Sequence, residues 1–220
     1  MKYLIILLLV IIGCSTPKTI SGKEPTNLIA ISPTDTTYTN YFNVQPTTTP
    51  DGWDITYWVK NDSTRHTDAY IQWGKGGVKR MYPYPHVLEY RGQFMLQFLA
   101  ENSTHIFMDH ACATDCWAIL ALPKNNSDKA IDFEGILGYD FNLNQLVCRN
   151  YTDDNRLMAT ATDLKRHKTK SVIFKNRYYS TDIGYAPLDT IIFEGDRVII
   201  DCGFFNKDGE TVRERQTIRF

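Results

Sequence analysis

The sequence predicts an all-β domain, built mostly as an antiparallel meander. Short apolar or alternating runs recur roughly every ten residues from Trp53 onward, as in sandwiches and barrels. The breaks between these runs hold turn residues, for example "KNNSD", "EGD" and "NKDGE". No window of ordinary helix length carries an amphipathic apolar stripe with capping residues. Together these patterns favour strands throughout.

The individual strands follow from side-chain alternation. In "WDITYWVK" the alternation places Trp53, Ile55 and Tyr57 on one face and Trp58 on the other. "NKDGE", between the last two runs, is a strong hairpin signal. The remaining runs are, in order, "AYIQWG", "FMLQFLA", "HIFMDH", "WAILALP", "FEGILGYDF", "QLVCRNY", "LMATATDL", "KSVIFK", "DTIIFEGDRVIIDCGFF" and "ETVRERQTIRF".

The arrangement of these strands is predicted to be sandwich-like or a partly open barrel. Propeller-like blades are the alternative, because residues 93–141 and 145–193 could each form a four-strand blade. No fixed repeat motif supports that alternative.

The chain opens with "MKYLIILLLVIIGCS", in which Lys2 precedes an apolar run over residues 4–12. This run is shorter than the roughly 20 residues that a membrane-spanning helix needs, and it suits a signal peptide. The segment Ile11-Ile12-Gly13-Cys14 resembles the lipobox of bacterial lipoprotein signal peptides. The resemblance implies cleavage before Cys14 and lipid attachment to its sulfur.

Three regions follow from this interpretation. Residues 1–13 are the lipoprotein signal peptide, and residues 14–50 are a lipidated Thr/Pro-rich tether with little core of its own. Residues 51–220 form a single all-β extracytoplasmic domain. Within the tether, "NLIAIS" could add a short strand to that domain.

Charge and sorting signals bear on partners and location. Cleavage removes one lysine from 24 Lys+Arg and leaves 23 against 25 Asp+Glu, a net charge of −2. No basic cluster is present, so nucleic acid is not an expected partner. The resemblance implies a lipid anchor in a membrane. Ser15 and Thr16 lack the aspartate that retains lipoproteins in the inner membrane of enteric bacteria. We therefore expect an outer-membrane location facing the periplasm.

Four cysteines remain once Cys14 carries lipid, and an exported protein meets oxidising conditions. Cys112 and Cys116 would flank a three-residue loop between two strands, and opposed cross-strand residues are close enough for a disulfide. Cys148 and Cys202 would be the second pair. That bridge would close a loop of about 55 residues and stabilise by roughly 4 kcal/mol.

Two other interpretations of "DHACATDCWAIL" remain open. His110, Cys112, Cys116 and His105 could bind zinc, since the cysteine spacing falls within the usual range. The second pair of ligands is missing, however, and neither a metal nor a cofactor is predicted. A catalytic thiol would need a histidine partner, and His110 lies on the same strand face as Cys112.

The candidate binding residues are those of the bridged loop and the aromatic side chains. Exposed aromatic rings stack on sugars or anchor protein partners. The candidates are His110, Asp115, Trp117, Trp58 and Trp73.

Function is predicted only as a class. The chain lacks the G-x-S-x-G, H-E-x-x-H and phosphate-loop motifs, and no catalytic residue is assigned. We expect a lipoprotein that binds or inhibits a protein or glycan partner. The bridged loop is loosely similar to that of periplasmic lysozyme inhibitors, although here His110 lies outside the ring. The alternatives are a hydrolase of envelope polysaccharide and a non-catalytic envelope assembly component. The hydrolase would use carboxylates from several strands, and none of Glu89, Asp109, Asp115, Glu134 and Asp140 is assigned an acid or base role.

Overall fold

The structure is a computed structural model. It describes residues 27–31, 47–60, 69–84, 96–113, 116–152, 154, 156–177, 188–205 and 210–220. All regular elements among these residues are strands, and every strand pair is antiparallel. The predicted all-β class and antiparallel meander are therefore confirmed.

Sheet A contains the first strands of the chain. Its order is β1-β3-β4-β5, and β2 pairs with the first two residues of β3, Asp54 and Ile55. The short strand predicted in "NLIAIS" is confirmed, since β1 pairs with β3. The strands are β1 (Leu28–Ala30), β2 (Thr47–Thr48), β3 (Asp54–Lys60), β4 (Ala69–Lys75) and β5 (Val78–Tyr84).

The other three sheets are meanders whose strands pair in chain order. Sheet B contains β6 (Gln97–Glu101), β7 (His105–Ala113), β8 (Cys116–Pro123) and β9 (Ile131–Glu134). Sheet C contains β10 (Ile136–Asp140), β11 (Gln145–Tyr151), β12 (Arg156–Asp163) and β13 (Lys168–Arg177). Sheet D contains β14 (Leu188–Phe193), β15 (Arg197–Phe205) and β16 (Thr211–Arg219). The hairpin signal "NKDGE" joins β15 to β16, but residues 206–209 lie outside the described residues.

Gly135 divides a run that the sequence presents as one strand. "FEGILGYDF" contributes the last two residues of β9 to sheet B and the whole of β10 to sheet C, and Gly135 between them has φ +69°. A Cβ at this position would lie 3.0 Å from the Arg149 carbonyl oxygen, so only glycine fits without a shift. The second predicted blade, 145–193, is therefore misplaced, because sheet C begins with β10.

The sheets pack face to face. In β8, Leu120 and Leu122 belong to the cluster shared with sheet A, while Ile119 and Ala121 belong to the cluster shared with sheet C. A third cluster joins sheets C and D. Sheet B is buried on both faces, which explains its continuous apolar runs. The layering agrees with the sandwich-like prediction, and among the described residues no sheet closes into a barrel.

The stacked sheets have two distinct ends. The disulfide end is where β7 finishes and β8 begins, and Gly135 lies there too. The clamp end is the opposite one, where polar side chains link neighbouring sheets. Between sheets A and B, Lys124 Nζ lies 2.6 Å from Asp51 Oδ2, and the Glu101 carboxylate accepts from Thr49 Oγ1 at 2.9 Å and from the Asp51 N–H at 2.6 Å. Within sheet B, Lys124 Nζ also lies 2.8 Å from Glu101 Oε2. The Lys124 and Glu101 side chains are only 7% and 6% exposed.

The same end carries the links across the other two interfaces. Between sheets B and C, the Asn102 side-chain amide donates to Asn144 Oδ1 at 2.9 Å. Between sheets C and D, Gln145 Nε2 and the Arg166 guanidinium both donate to the Gly195 carbonyl. Asp163, whose side chain is 1% exposed, accepts from both of these residues. Polar contacts therefore tie the layers together in the turn regions.

Candidate functional site

The β7–β8 hairpin carries the predicted disulfide. Cys112 and Cys116 are joined, with their Cα atoms 4.9 Å apart, which confirms this pair. Ala113 is opposite Cys116, and the register shifts between Ala111 and Ala113. Cys112 is therefore the extra residue of a bulge. Its bond to Cys116 closes the hairpin, although Asp115 lies outside the described residues.

His110 is a buried residue of β7, two positions before Cys112 of this hairpin. It is 5% exposed, so it is not available to a partner as the sequence suggested. Its Nδ1 lies 3.1 Å from the Ala111 carbonyl oxygen, and its Nε2 lies 2.9 Å from Asp132 Oδ1. Both neighbours accept hydrogen bonds, so both ring nitrogens donate and the imidazolium form fits best.

The charge state of His110 is set by two opposing effects. Burial alone would lower the pKa of His110, but the hydrogen bond and charge of Asp132 act against burial and raise the pKa above its usual value. The Ala111 carbonyl and the charge of Glu134 act in the same direction. An imidazolium with both nitrogens engaged cannot serve as a general base. His110 therefore positions the hairpin.

A cavity of about 390 Å³ lies beside the hairpin, between sheets B and C. It falls within the range of about 300–1,000 Å³ that is typical of small-ligand pockets. All four residues of β9 line one side of the cavity, together with Gly135 and with Cys116 of the hairpin. The sheet C side is lined by Cys148, Arg149, Asn150, Tyr151, Thr160, Thr162 and Thr169.

Hydroxyl groups form the floor of this cavity. Thr160 Oγ1 lies 2.7 Å from Ser171 Oγ, and Thr162 Oγ1 lies 3.1 Å from Thr169 Oγ1. Each hydroxyl has further hydrogen-bonding capacity. The pattern "MATATD" explains this floor, because Ala159 and Ala161 face sheet D and the threonines face the other way.

Two carboxylates lie along the strand that borders the cavity. Asp132 is bonded to His110, and Glu134 is exposed. Burial raises the pKa of Tyr82 in sheet A, and the charges of Asp132 and Glu134 raise it further. The sequence singled out Glu134 only as one of several carboxylates and missed Asp132, whose role depends on the β7–β8–β9 register.

Trp117 begins a row of aromatic rings in contact along the same sheets, with an edge-on contact to Tyr139. It is 36% exposed. Its ring centroid lies 5.4 Å from that of Tyr139, which stacks on Phe141 at 4.2 Å. Phe141 stacks on Phe107 at 4.3 Å. Trp117 is therefore the outer end of a series of aromatic contacts that reaches buried Phe107.

The other two candidate tryptophans lie in sheet A, and Trp73 is the one placed differently from the prediction. Trp73 is 1% exposed, and its indole nitrogen donates to the Pro123 carbonyl oxygen at 2.9 Å. It cannot bind a partner, because it shares the inner face of sheet A with Ile55 and Ile71. Trp58 is half-buried on the outer face, where Nε1 donates to Thr56 Oγ1. Neither residue borders the cavity.

The prediction of a Cys148–Cys202 disulfide is wrong. Both are buried thiols, and they belong to different clusters. Val147 faces sheet D, so the next residue in β11, Cys148, faces sheet B. Cys202 in β15 faces sheet C from the other side. The body of sheet C therefore separates the two sulfur atoms.

Neither the metal alternative nor a membrane helix has a counterpart in the described part of the chain. His105 lies at the clamp end, bonded to Thr104, and burial lowers its pKa. Over the described ranges no group of three or more His, Cys, Asp or Glu residues could hold a metal ion. The same ranges contain no helix long and apolar enough to cross a membrane.

Comparison with known proteins gives no further information about the site. No protein-family model matches the chain, and neither a curated protein nor a solved structure shows significant similarity to it.

Proposed function

We propose that this protein is a bacterial lipoprotein, anchored by lipid on Cys14, whose β domain binds a partner at the disulfide end. The observation that supports binding is the cavity between sheets B and C. It is bordered by the rigid hairpin and floored by hydroxyl groups. Apolar walls with a few placed polar groups are typical of ligand sites. The lipobox resemblance supports the anchor and an extracytoplasmic location, in the outer membrane facing the periplasm.

The anchor is tested by replacing its cysteine. Cys14→Ala should abolish metabolic labelling with an alkyne palmitate analogue and move the protein from the membrane to the soluble fraction. Ser15→Ala, which keeps the cysteine, is the matched control and should behave as the wild type. Labelling that survives Cys14→Ala would show that the proposed anchor is wrong.

The binding site is tested by filling the cavity. Thr169 and Lys170 are exposed neighbours in β13, but Thr169 faces the cavity and Lys170 is opposite Ala161, which faces sheet D. After cross-linking in whole cells, Thr169→Tyr should lose the partners of the wild type, and Lys170→Tyr should retain them. If both variants retain the same partners, the cavity is not the binding site.

A polysaccharide hydrolase is the second candidate, because Asp132 and Glu134 both border the cavity. Binding is preferred, since Asp132 already accepts a hydrogen bond from buried His110. Incubation of the purified protein with peptidoglycan distinguishes the two functions. Release of soluble sugar fragments by the wild type but not by Glu134→Gln would support the hydrolase.

A further inference from the structure

The cavity lies along the edge of a sheet, not on one of its faces. Side chains of a strand alternate between the two faces, yet all of Ile131, Asp132, Phe133 and Glu134 line the cavity. A cavity reaches every residue of a strand when it runs beside that strand. The order β6-β7-β8-β9 makes β9 the last described strand of sheet B.

Sheet C continues past this edge. β10 lies against β8, and β11 lies against β9. The next strands of sheet C, β12 and β13, therefore extend beyond sheet B by the width of about two strands, roughly 9–10 Å at the usual strand spacing. The face of these two strands that is turned away from sheet D forms the floor of the cavity. The space beside β9, on the sheet B side of β12, is thus wide enough for an additional strand.

The floor beneath that position has a pattern that matches a strand. Three cross-strand pairs of β12 and β13 lie on the face of sheet C that is turned away from sheet D: Thr162 with Thr169, Thr160 with Ser171, and Met158 with Ile173. They run from hydroxyl groups at the clamp side to apolar groups at the disulfide end, where Ile173 is 44% exposed. Alternate side chains of an added strand would contact these pairs in turn.

The residues that line the cavity include two carboxylates, Asp132 and Glu134, and one cation, Arg149. Glu134 ends β9 and is exposed, and among the described residues no Lys or Arg side chain forms an ion pair with it. Asp132 on the same face is already bonded to His110. A Lys or Arg side chain on the sheet A face of an added strand would complement Glu134.

We infer that the partner supplies an extended peptide segment, which pairs with β9 as an additional strand of sheet B. The inference rests on the proposed binding function and names its partner class. Edge strands present unpaired backbone groups, and recognition by strand addition combines main-chain hydrogen bonds with pockets for alternate side chains. The peptide places a basic residue near Glu134, small polar residues over Thr162 and Thr160, and an apolar residue over Ile173.

The test uses a phage-displayed library of random heptapeptides, selected on the full-length protein in detergent. Selected peptides should alternate in the stated pattern, bind the wild type and Lys170→Tyr equally, and fail to bind Thr169→Tyr. Each backbone amide of one selected peptide is then N-methylated in turn. Methylation at every second residue, facing β9, should weaken binding by about tenfold, and the intervening positions should change it little.

The outcomes separate this inference from the proposed function. Selected peptides whose affinity is insensitive to backbone methylation, or to Thr169→Tyr, would overturn strand addition. A failure to select peptides while Thr169→Tyr still loses the cellular partners would indicate another ligand class, such as a glycan, and would leave the binding function intact. A dimer of the wild type that Thr169→Tyr converts to a monomer would identify a second copy as the occupant and overturn the inference.

Discussion

The clamp end and the disulfide end of the stacked sheets are held together by different kinds of contact. At the clamp end, polar side chains link each sheet to the next: Lys124 to Asp51, Asn102 to Asn144, and Gln145 and Arg166 to the Gly195 carbonyl. At the disulfide end, a covalent bond and the His110–Asp132 pair hold the strands of sheet B, the Arg149 N–H donates to the Gly135 carbonyl, and a cavity separates sheet B from the outer strands of sheet C. The two ends therefore differ in how neighbouring strands and sheets are held, and the cavity reaches the disulfide end at Cys116 and Gly135.

The largest loss of stability should follow Lys124→Ala. It removes the cation from Glu101, whose side chain is 6% exposed and then keeps, among the described residues, only the hydrogen bonds from Thr49 and Asp51, and removing one partner of a buried ion pair costs about 3 kcal/mol or more. Urea unfolding of the full chain measures the change. Lys165→Ala, an exposed residue of the β12–β13 turn at the same end, should cost about 0.5 kcal/mol at most. Equal effects would contradict the clamp.

The second effect concerns the link between sheets C and D. Asp163→Asn replaces a buried acceptor of three hydrogen bonds from Gln145 and Arg166. We expect a loss of about 2–3 kcal/mol, because bonds to a charged group are lost and the new amide group meets donors. Asp201→Asn is the matched control, since its partner Arg215 is 67% exposed and such pairs contribute about 1 kcal/mol or less.

A smaller effect is expected at the disulfide end. The double variant Cys112→Ser/Cys116→Ser opens a small ring, so the loss of stability should be at most about 2 kcal/mol in the chain-entropy model. Its effect on binding should exceed its effect on folding, because the hairpin borders the cavity. Thermal unfolding and partner capture measure the two effects, and unchanged capture would exclude the hairpin from the site.

Peptide mapping without reduction is the accompanying control. It should recover Cys112 linked to Cys116, and Cys148 and Cys202 each as singly alkylated thiols. A Cys148–Cys202 linkage would contradict the opposite orientations of their side chains.

The smallest effect is a dependence on pH. The folded state raises the pKa of His110 above 6.5, so the folded protein holds this proton more tightly than the unfolded chain. The resulting stabilisation is complete below pH 6.5 and is lost as the pH rises through the raised pKa. Unfolding free energies measured across that interval should fall with pH in the wild type. His110→Gln should remove this component, and an unchanged slope would contradict it.

Local patterns in the sequence predicted a large part of the fold. Alternation in "WDITYWVK" and the turn residues between runs identified the strands, and the spacing of Cys112 and Cys116 predicted their bridge. These features depend on neighbours along the chain, because a strand alternates with period two and a short hairpin closes on itself.

The sequence by itself determined the all-β class, the antiparallel meander and the hairpin disulfide. Only the tertiary structure decided that Trp73 is in the core, that Cys148 and Cys202 face different layers, and that Asp132 meets His110. It also decided that sheet C extends past β9 and creates the cavity. The reason is physical. Alternation gives two equivalent faces to every strand, and which face meets which neighbour depends on how separate sheets stack and on their lateral offset.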